Sequence, residues 1–181
     1  MKNNKDYSSD SIEVLEGLDA VRLRPGMYIG DSSSKGLHHI LWEIVDNSID
    51  EIANGYGDRV DIELLQDGSV SVTDNGRGIP VDLHKELKIP ALEIVFTKLH
   101  SGAKFGSDDY KFSGGLHGVG SAVTNAVSRW LNATVWRDGT ENYIEFHSPE
   151  VNGKIKSGVR KTAMTTKKCD KKMHGTKVVF M

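Results

Sequence analysis

The chain is short of several things, and each shortage narrows what it can be. Its 181 residues hold one cysteine, Cys169. No internal disulfide can form, and a lone thiol without companion ligands makes no zinc site, so a reducing compartment is expected. No apolar run approaches the ~18 residues that a membrane span requires. The opening Met1-Lys-Asn-Asn-Lys-Asp leads into polar residues and lacks the apolar core of a signal peptide. A cytoplasmic protein with no membrane partner is the expectation. There is also no internal repeat, no domain boundary and no low-complexity tract. The length suits one domain with a proper core.

Charge is scarce only in the net. The formal value of −2 conceals 24 acidic against 14 basic residues in 1–150, and one acidic against nine basic in 151–181. A basic end can contact nucleic acid. Lys154 to Lys172, however, shows neither interleaved aromatics nor a helical stripe, and a solvated loop is the preferred reading.

Residues 1–10 read as a mobile polar arm, and 11–181 as a single folded unit. Ser11 to Leu23 starts a helix that Arg24-Pro25-Gly26 breaks. Leu37 to Asn54 is the clearest helix, with Leu37, Ile40, Leu41, Ile44, Val45, Ile49 and Ile52 at three- and four-residue steps and Gly55 behind it. Val60, Ile62 and Leu64 alternate, Asp67-Gly68 turns, and Val70 and Val72 alternate again, which predicts a hairpin. Pro90 to His100 reads as a helix with proline in first position. Val119 to Arg129 reads as another. A second hairpin turns at Asp138-Gly139, and Val178 to Phe180 is a last short strand. Hairpins with helices between them predict an α+β fold: a two-layer α/β sandwich, its sheet mixed but mostly antiparallel, its helices on one face.

Three segments carry chemistry. The first is the polar face of the long helix, with His39, Glu43, Asp46, Asn47 and Asp50. Glu43 and Asn47 are four apart and share a face. A carboxylate in a partly dry cleft can take a proton from water, and an amide oxygen is a hard ligand of the kind Mg²⁺ accepts. The same face could equally be ordinary solvated surface. The second is Asp74-Asn-Gly-Arg-Gly-Ile-Pro80, where a strand ends. A carboxylate there can accept a hydrogen bond from an exocyclic amine such as adenine's. Gly76 and Gly78 would let a flat base approach, and Ile79 and Pro80 could form an apolar wall. A polar turn is the alternative. The third is Tyr110-Lys-Phe-Ser-Gly-Gly-Leu-His-Gly-Val-Gly120, with four glycines in seven residues directly before a helix. Such a loop can aim N–H groups at one point, and the helix adds its unpaired N–H groups and positive end, a combination suited to phosphate. Taken alone it could be a flexible turn. The three have different requirements and occur together in order, which argues for ATP better than any one of them.

Glu43-Ile-Val-Asp-Asn47, Asp74-Asn-Gly-Arg-Gly78, Gly114-Gly-Leu-His-Gly-Val-Gly120 and Gly175-Thr176, in that order, resemble the Bergerat-fold ATPases. That superfamily, also called GHKL, includes type II topoisomerases, Hsp90 chaperones, MutL repair proteins and sensor histidine kinases. Leu15-Glu-Gly-Leu-Asp-Ala-Val-Arg-Leu-Arg-Pro-Gly-Met-Tyr-Ile-Gly30, with Tyr110 to Gly120, narrows the resemblance to the B subunits of bacterial gyrase and topoisomerase IV. It extends from about Tyr7 to Phe180. Phe112-Ser-Gly-Gly and Arg137-Asp-Gly to Phe146 lean toward topoisomerase IV.

The resemblance implies roles. Glu43 would be the general base toward the water that attacks the γ-phosphate, with His39 supporting it. Asn47 would hold Mg²⁺. Asp74 would bind the adenine amine, directly and through a water, and Thr176 would share that water. Gly78, Ile79 and Pro80 would line the base pocket. Lys104, Gly115, Leu116, His117, Gly118, Val119 and Gly120 would close over the phosphates, with Tyr110 near the nucleoside. Arg77 and Arg137 would lie at the pocket mouth, where inhibitors of the family bind. Tyr7 would belong to an arm reaching a partner subunit's nucleotide. Two departures are visible: Ser101-Gly-Ala-Lys104 has alanine where a second glycine is usual, and Leu83 to Pro90 lacks a glycine usual before the next helix. The family's transducer and cleavage domains are not in this sequence. The chain therefore reads as a nucleotide-binding domain of a longer subunit, one that binds ATP but hydrolyses it weakly and stays largely monomeric. Through the full-length enzyme it would act on DNA, with a topoisomerase A subunit, and as a self-dimer once arm and transducer are present.

Overall fold

The computed structural model describes residues 17–101 and 118–181. Tyr7, Lys104, Tyr110, Gly115, Leu116 and His117, with the arm and most of the glycine loop, lie outside the described residues.

The elements, in chain order, are α1 (Leu18–Leu23), α2 (Gly26–Ile29), α3 (Ser34–Ala53), β1 (Val60–Leu64), β2 (Val70–Asp74), α4 (Ala91–Thr97), α5 (Gly120–Val127), β3 (Trp130–Arg137), β4 (Thr140–His147), β5 (Glu150–Val151), β6 (Lys154–Ile155), β7 (Val159–Arg160), β8 (Thr165–Lys168) and β9 (Gly175–Phe180). The sheet runs β1-β2-β9-β3-β4, with β7 and β8 both paired to the far side of β4, while β5 and β6 form a separate small hairpin. Every pairing among the described strands is antiparallel. The expected sandwich is present, and its described sheet holds no parallel pair.

Period-two burial shows how the layers meet. On β3, Leu131, Ala133 and Val135 are buried, and on β4 Asn142, Ile144 and Phe146. These face the helices, as do Val72, Val178 and Phe180. Ile40, Ile44 and Val45 of α3, Leu92 and Phe96 of α4, and Ala122, Val123 and Ala126 of α5 pack against them. The Phe96 and Phe146 rings stand 5.8 Å apart in a tilted pair. Helix α5 is small-faced and central. Thr124 Oγ1 donates to Ile40 O at 3.1 Å, and Asn125 Nδ2 donates to Phe96 O at 2.8 Å. It thereby ties α3 to the C-terminal end of α4.

Several boundaries differ from the sequence pattern for local reasons. Helix α3 begins earlier than Leu37, because Ser33 caps it, accepting the Lys35 N–H at 3.3 Å. Pro90 is the cap of α4 and not its first residue, and the helix ends at Thr97, well short of His100. Lys98 turns extended there, and the Ser101 hydroxyl reaches back to Lys98 O at 2.6 Å. Helix α5 likewise stops at Val127, since Ser128 is extended. Pro25 breaks α1 but also starts the single turn of α2. The Asp138-Gly139 turn has φ of 52° and 75°, the left-handed pair of a tight hairpin.

The largest difference is in the basic end. It is not a plain loop: β7 and β8 add to the β4 edge. Lys161 pairs with Glu145 and Lys167 with Glu141, each at 2.8 Å, and Arg160 with Glu93 at 2.6 Å. The cationic segment is laid against the acidic body of the same chain. Backbone ladders of this kind need no apolar alternation, which is why the side-chain pattern did not announce them.

Candidate functional site

A cavity of about 330 Å³ opens between α3, the inner ends of β2 and β9, the 76–80 loop, the end of α4 and the start of α5. Its two ends differ in chemistry.

At the inner end sits Asp74, the last residue of β2, with 9% of its surface exposed. Its Oδ1 accepts the N–H of Gly76 at 2.9 Å and of Thr176 at 3.2 Å, and its Oδ2 accepts the Ser48 hydroxyl at 2.9 Å. Burial pushes the carboxyl above the usual carboxylate range, the three hydrogen bonds oppose that rise, and the nearby Glu51 charge adds to it. Val72, Val178, Ile44, Ile79 and Pro80 make the surrounding walls apolar. Thr176 Oγ1 accepts the Ile79 N–H at 3.3 Å and keeps its own hydrogen to donate. The floor thus offers an acceptor, Asp74 Oδ2, beside a donor, the Thr176 hydroxyl. The amine and ring nitrogen on one edge of adenine present the complementary pair. Gly78 makes this floor possible. Its φ is +78°, and a Cβ there would stand 2.9 Å from both Trp136 O and Val135 Cγ1.

The mouth carries two arginines, each beside a carboxylate, Glu51 for Arg77 and Asp138 for Arg137. Arg77 is fixed on three sides: its Nη2 lies 2.8 Å from Glu51 Oε1, its Nε 3.1 Å from Glu51 Oε2, and its guanidinium carbon 3.4 Å over the Tyr56 ring. Arg137 Nη1 donates to Gly78 O at 2.8 Å.

The outer end is built from α3 and α5. Glu43 lies against the first turn of α5 so closely that a Cβ on Gly120 would fall 1.9 Å from Glu43 Oε2. Only glycine admits the carboxylate there. His39 Nε2 stands 3.7 Å from Glu43 Oε1. Asn47 Nδ2 donates to Glu43 O at 2.8 Å and to Ser121 Oγ at 3.1 Å. These bonds fix the orientation of the amide, whose carbonyl oxygen is of the hard kind that Mg²⁺ accepts. Gly118 lines the cavity too, while Val119 turns into the core as the residue before α5.

The structure therefore brings Glu43, Asn47, Asp74, Gly78, Ile79, Pro80, Gly118, Gly120 and Thr176 to one cavity, with Arg77 and Arg137 at its rim. Among the described candidates, His39 stands beside it and Val119 beneath it. Sequence reasoning missed Ser48, Glu51 and Ser121. For Glu51 a signal existed: Glu43, Asn47 and Glu51 are spaced by four. Asp46 and Asp50, grouped with that face, point elsewhere: Asp46 is exposed and Asp50 is buried.

The model of the histidine kinase-, DNA gyrase B- and HSP90-like ATPases matches residues 32–180. The chain belongs to that ATPase family. This GHKL domain is 51% identical over 180 residues to the B subunit of DNA topoisomerase 4 from Staphylococcus aureus strain Mu50, and equally to that of strain NCTC 8325. Each alignment covers 99% of this chain and 26% of the relative. The chain thus spans about a quarter of the length of the curated relatives it matches. Among solved structures, the 43K ATPase domain of Thermus thermophilus gyrase B, in complex with an aminocoumarin, superposes with a TM-score of 0.72 at 37% identity, covering 90% of this chain and 38% of that one. No helix among the described residues is long and apolar enough to cross a membrane.

Proposed function

We propose that this GHKL domain binds and hydrolyses ATP as part of the B subunit of a bacterial type II topoisomerase, most closely that of topoisomerase IV. The observation that carries the reading is the 51% identity to topoisomerase IV relatives along 99% of the chain. The 37% identity to a gyrase B domain supports the same superfamily less specifically.

In this reading adenine sits at the inner end, its amine on Asp74 and its ring nitrogen facing Thr176. The phosphates run toward the N-terminus of α5, where backbone N–H groups and the helix dipole favour anions. Glu43 takes the proton of the attacking water, and His39 orients that carboxylate. The donor set suits Mg²⁺: Asn47 offers one hard oxygen, and no group of three or more His, Cys, Asp or Glu among the described residues could hold a metal alone. Mg²⁺, when bound, neutralises charge on the phosphates. Lys104 and the residues 115–120 would close over the phosphates, Tyr110 would lie by the nucleoside, and Tyr7 would reach a partner subunit's nucleotide. The segment is then one domain of a longer cytoplasmic subunit that works with an A subunit on DNA and dimerises through parts beyond this domain.

The test is a full-length subunit paired with its A subunit, carrying Glu43 or Glu43→Ala. ATP-dependent decatenation that vanishes in the variant supports the proposal. Introduction of negative supercoils would move the protein to gyrase, and unchanged turnover in the variant would remove Glu43 from the chemistry.

A further inference from the structure

Asp74 has four lone-pair positions, and the structure shows which are taken. Oδ1 receives two backbone N–H groups, from Gly76 and Thr176. Oδ2 receives one hydrogen, from Ser48. The position left for a ligand is therefore the second one on Oδ2, the same oxygen that Ser48 holds. Ser48 is itself buried, with 4% exposed, and lines the cavity. Because its only hydrogen goes to Asp74, Ser48 meets a ligand solely as an acceptor. Among the described residues, the partners of the Asp74 carboxylate are two backbone amides and one hydroxyl, with no cation.

From this arrangement we infer that Ser48 is a positioning residue that keeps Asp74 an acceptor-only carboxylate and so makes the cavity select 6-amino over 6-oxo purine nucleotides. The inference rests on the adenine reading of the cavity and names the residue that sets its selectivity. An ionised carboxylate accepts from an amine and repels an oxo group. A protonated one carries an O–H and can donate to an oxo group. An oxo base also turns the ring nitrogen into a donor, which the Thr176 hydroxyl can accept by rotating, so the discrimination at this floor falls to the Asp74 proton. Ser48 supplies one of the three hydrogen bonds that hold the charged form against the cost of burial. The Coulombic surroundings give no help, since Glu51 works in the opposite direction.

The experiment compares ATP with inosine triphosphate, which replaces the amine by an oxo group. Binding to the 181-residue chain is measured by calorimetry with Mg²⁺ from pH 5 to 8. The unaltered chain is expected to prefer ATP, with the preference narrowing as pH falls. In Ser48→Ala the narrowing should begin about one pH unit higher, the scale of one hydrogen bond to a charged group. The Asp74 carboxyl carbon, followed by NMR without nucleotide, should titrate at higher pH in that variant. Ser48→Cys, of similar volume and with a weak donor, should shift the same way and serves if alanine packs badly. Asp74→Asn separates the two claims. Its oxygen keeps the backbone N–H groups, its amide nitrogen takes the place of Oδ2, and it should turn the preference toward inosine triphosphate. If the asparagine variant inverts the preference while both Ser48 variants keep the original onset of narrowing and the original titration, the role of Ser48 is refuted and the adenine site stands. If the asparagine variant keeps the original preference, the adenine reading fails and this inference falls with it.

Discussion

The inner and outer ends of the cavity are made to different standards. Around Asp74, each described polar group has a defined partner, and the walls are core residues of β2 and β9. Around Glu43, the contacts among the described residues are looser: the His39 and Glu43 side chains are 45% and 30% exposed, and their nearest polar atoms stand 3.7 Å apart. The inner end resembles a protein interior with one position left open. The outer end resembles a surface with a carboxylate propped against a glycine. On the proposed reading, the sheet preorganises recognition of the base, while the hydrolytic geometry would tighten when a nucleotide binds.

That contrast gives separable expectations. The largest effect belongs to the outer end. In the full-length subunit, Glu43→Ala should lower turnover at least ~10²-fold, the usual scale for removing a general base, while ATP binding to the domain stays within a few-fold. A comparable loss of binding would erase the distinction between the ends. Next is the inner end. Asp74→Asn should weaken ATP binding by ~10–100-fold, from loss of an acceptor for a buried donor.

The same substitution should not cost stability, and the sign follows from the carboxyl's position. Its folded pKa is raised above that of the unfolded chain, so the folded state binds the proton more tightly. Stability from this group is present at low pH. It is lost as pH rises from the unfolded value, ~3.9, through the raised folded one. The asparagine variant lacks that loss, and its thermal midpoint at pH 7 should equal or exceed the original. A midpoint several degrees lower would mean the carboxylate is structural.

Gly120→Ala should come third. The added Cβ must displace Glu43, costing ~1–3 kcal/mol as overpacking does, with turnover falling and base selectivity unchanged. A change in the ATP-to-inosine-triphosphate ratio would show that the two ends are coupled through α3. The smallest effect is expected for His39→Ala, which should cost turnover ~10-fold or less, since the side chain is half-exposed and beyond hydrogen-bond distance. A loss as deep as that of Glu43→Ala would place His39 in the proton transfer itself.

The outer end was the more legible in sequence. Glu43 and Asn47, which the structure brings to the cavity, are picked out by a four-residue step on an amphipathic helix, and the glycines before α5 carry the pattern expected of an anion site. The hairpins were readable from alternation and from Asp-Gly turns. The inner end was half legible. Asp74 stands at a strand end beside glycines, but Ser48 carries no periodic or charge signal, and its importance lies in a contact 26 positions away. The place of β9 was hidden for the same reason. Val178 to Phe180 looks like a short terminal strand, whereas its backbone pairs with β2 on one side and β3 on the other. Such pairings are not local properties. The basic end was misjudged because its strands are two to four residues long and its lysines answer acids elsewhere in the chain.

The position of β9 bears on how the domain comes to exist at all. Thr176 and Asp74, which touch, are 102 residues apart in sequence. Until the strand that carries Thr176 is available, the β1–β2 and β3–β4 hairpins have no strand to join them, and the cavity has neither its rear wall nor half its floor. Assembly must therefore wait for the most distant contacts and should be slow for a domain of this size. During synthesis the earlier hairpins stand with open edges, a period in which a chaperone or a fortuitous strand partner has access that the finished sheet denies.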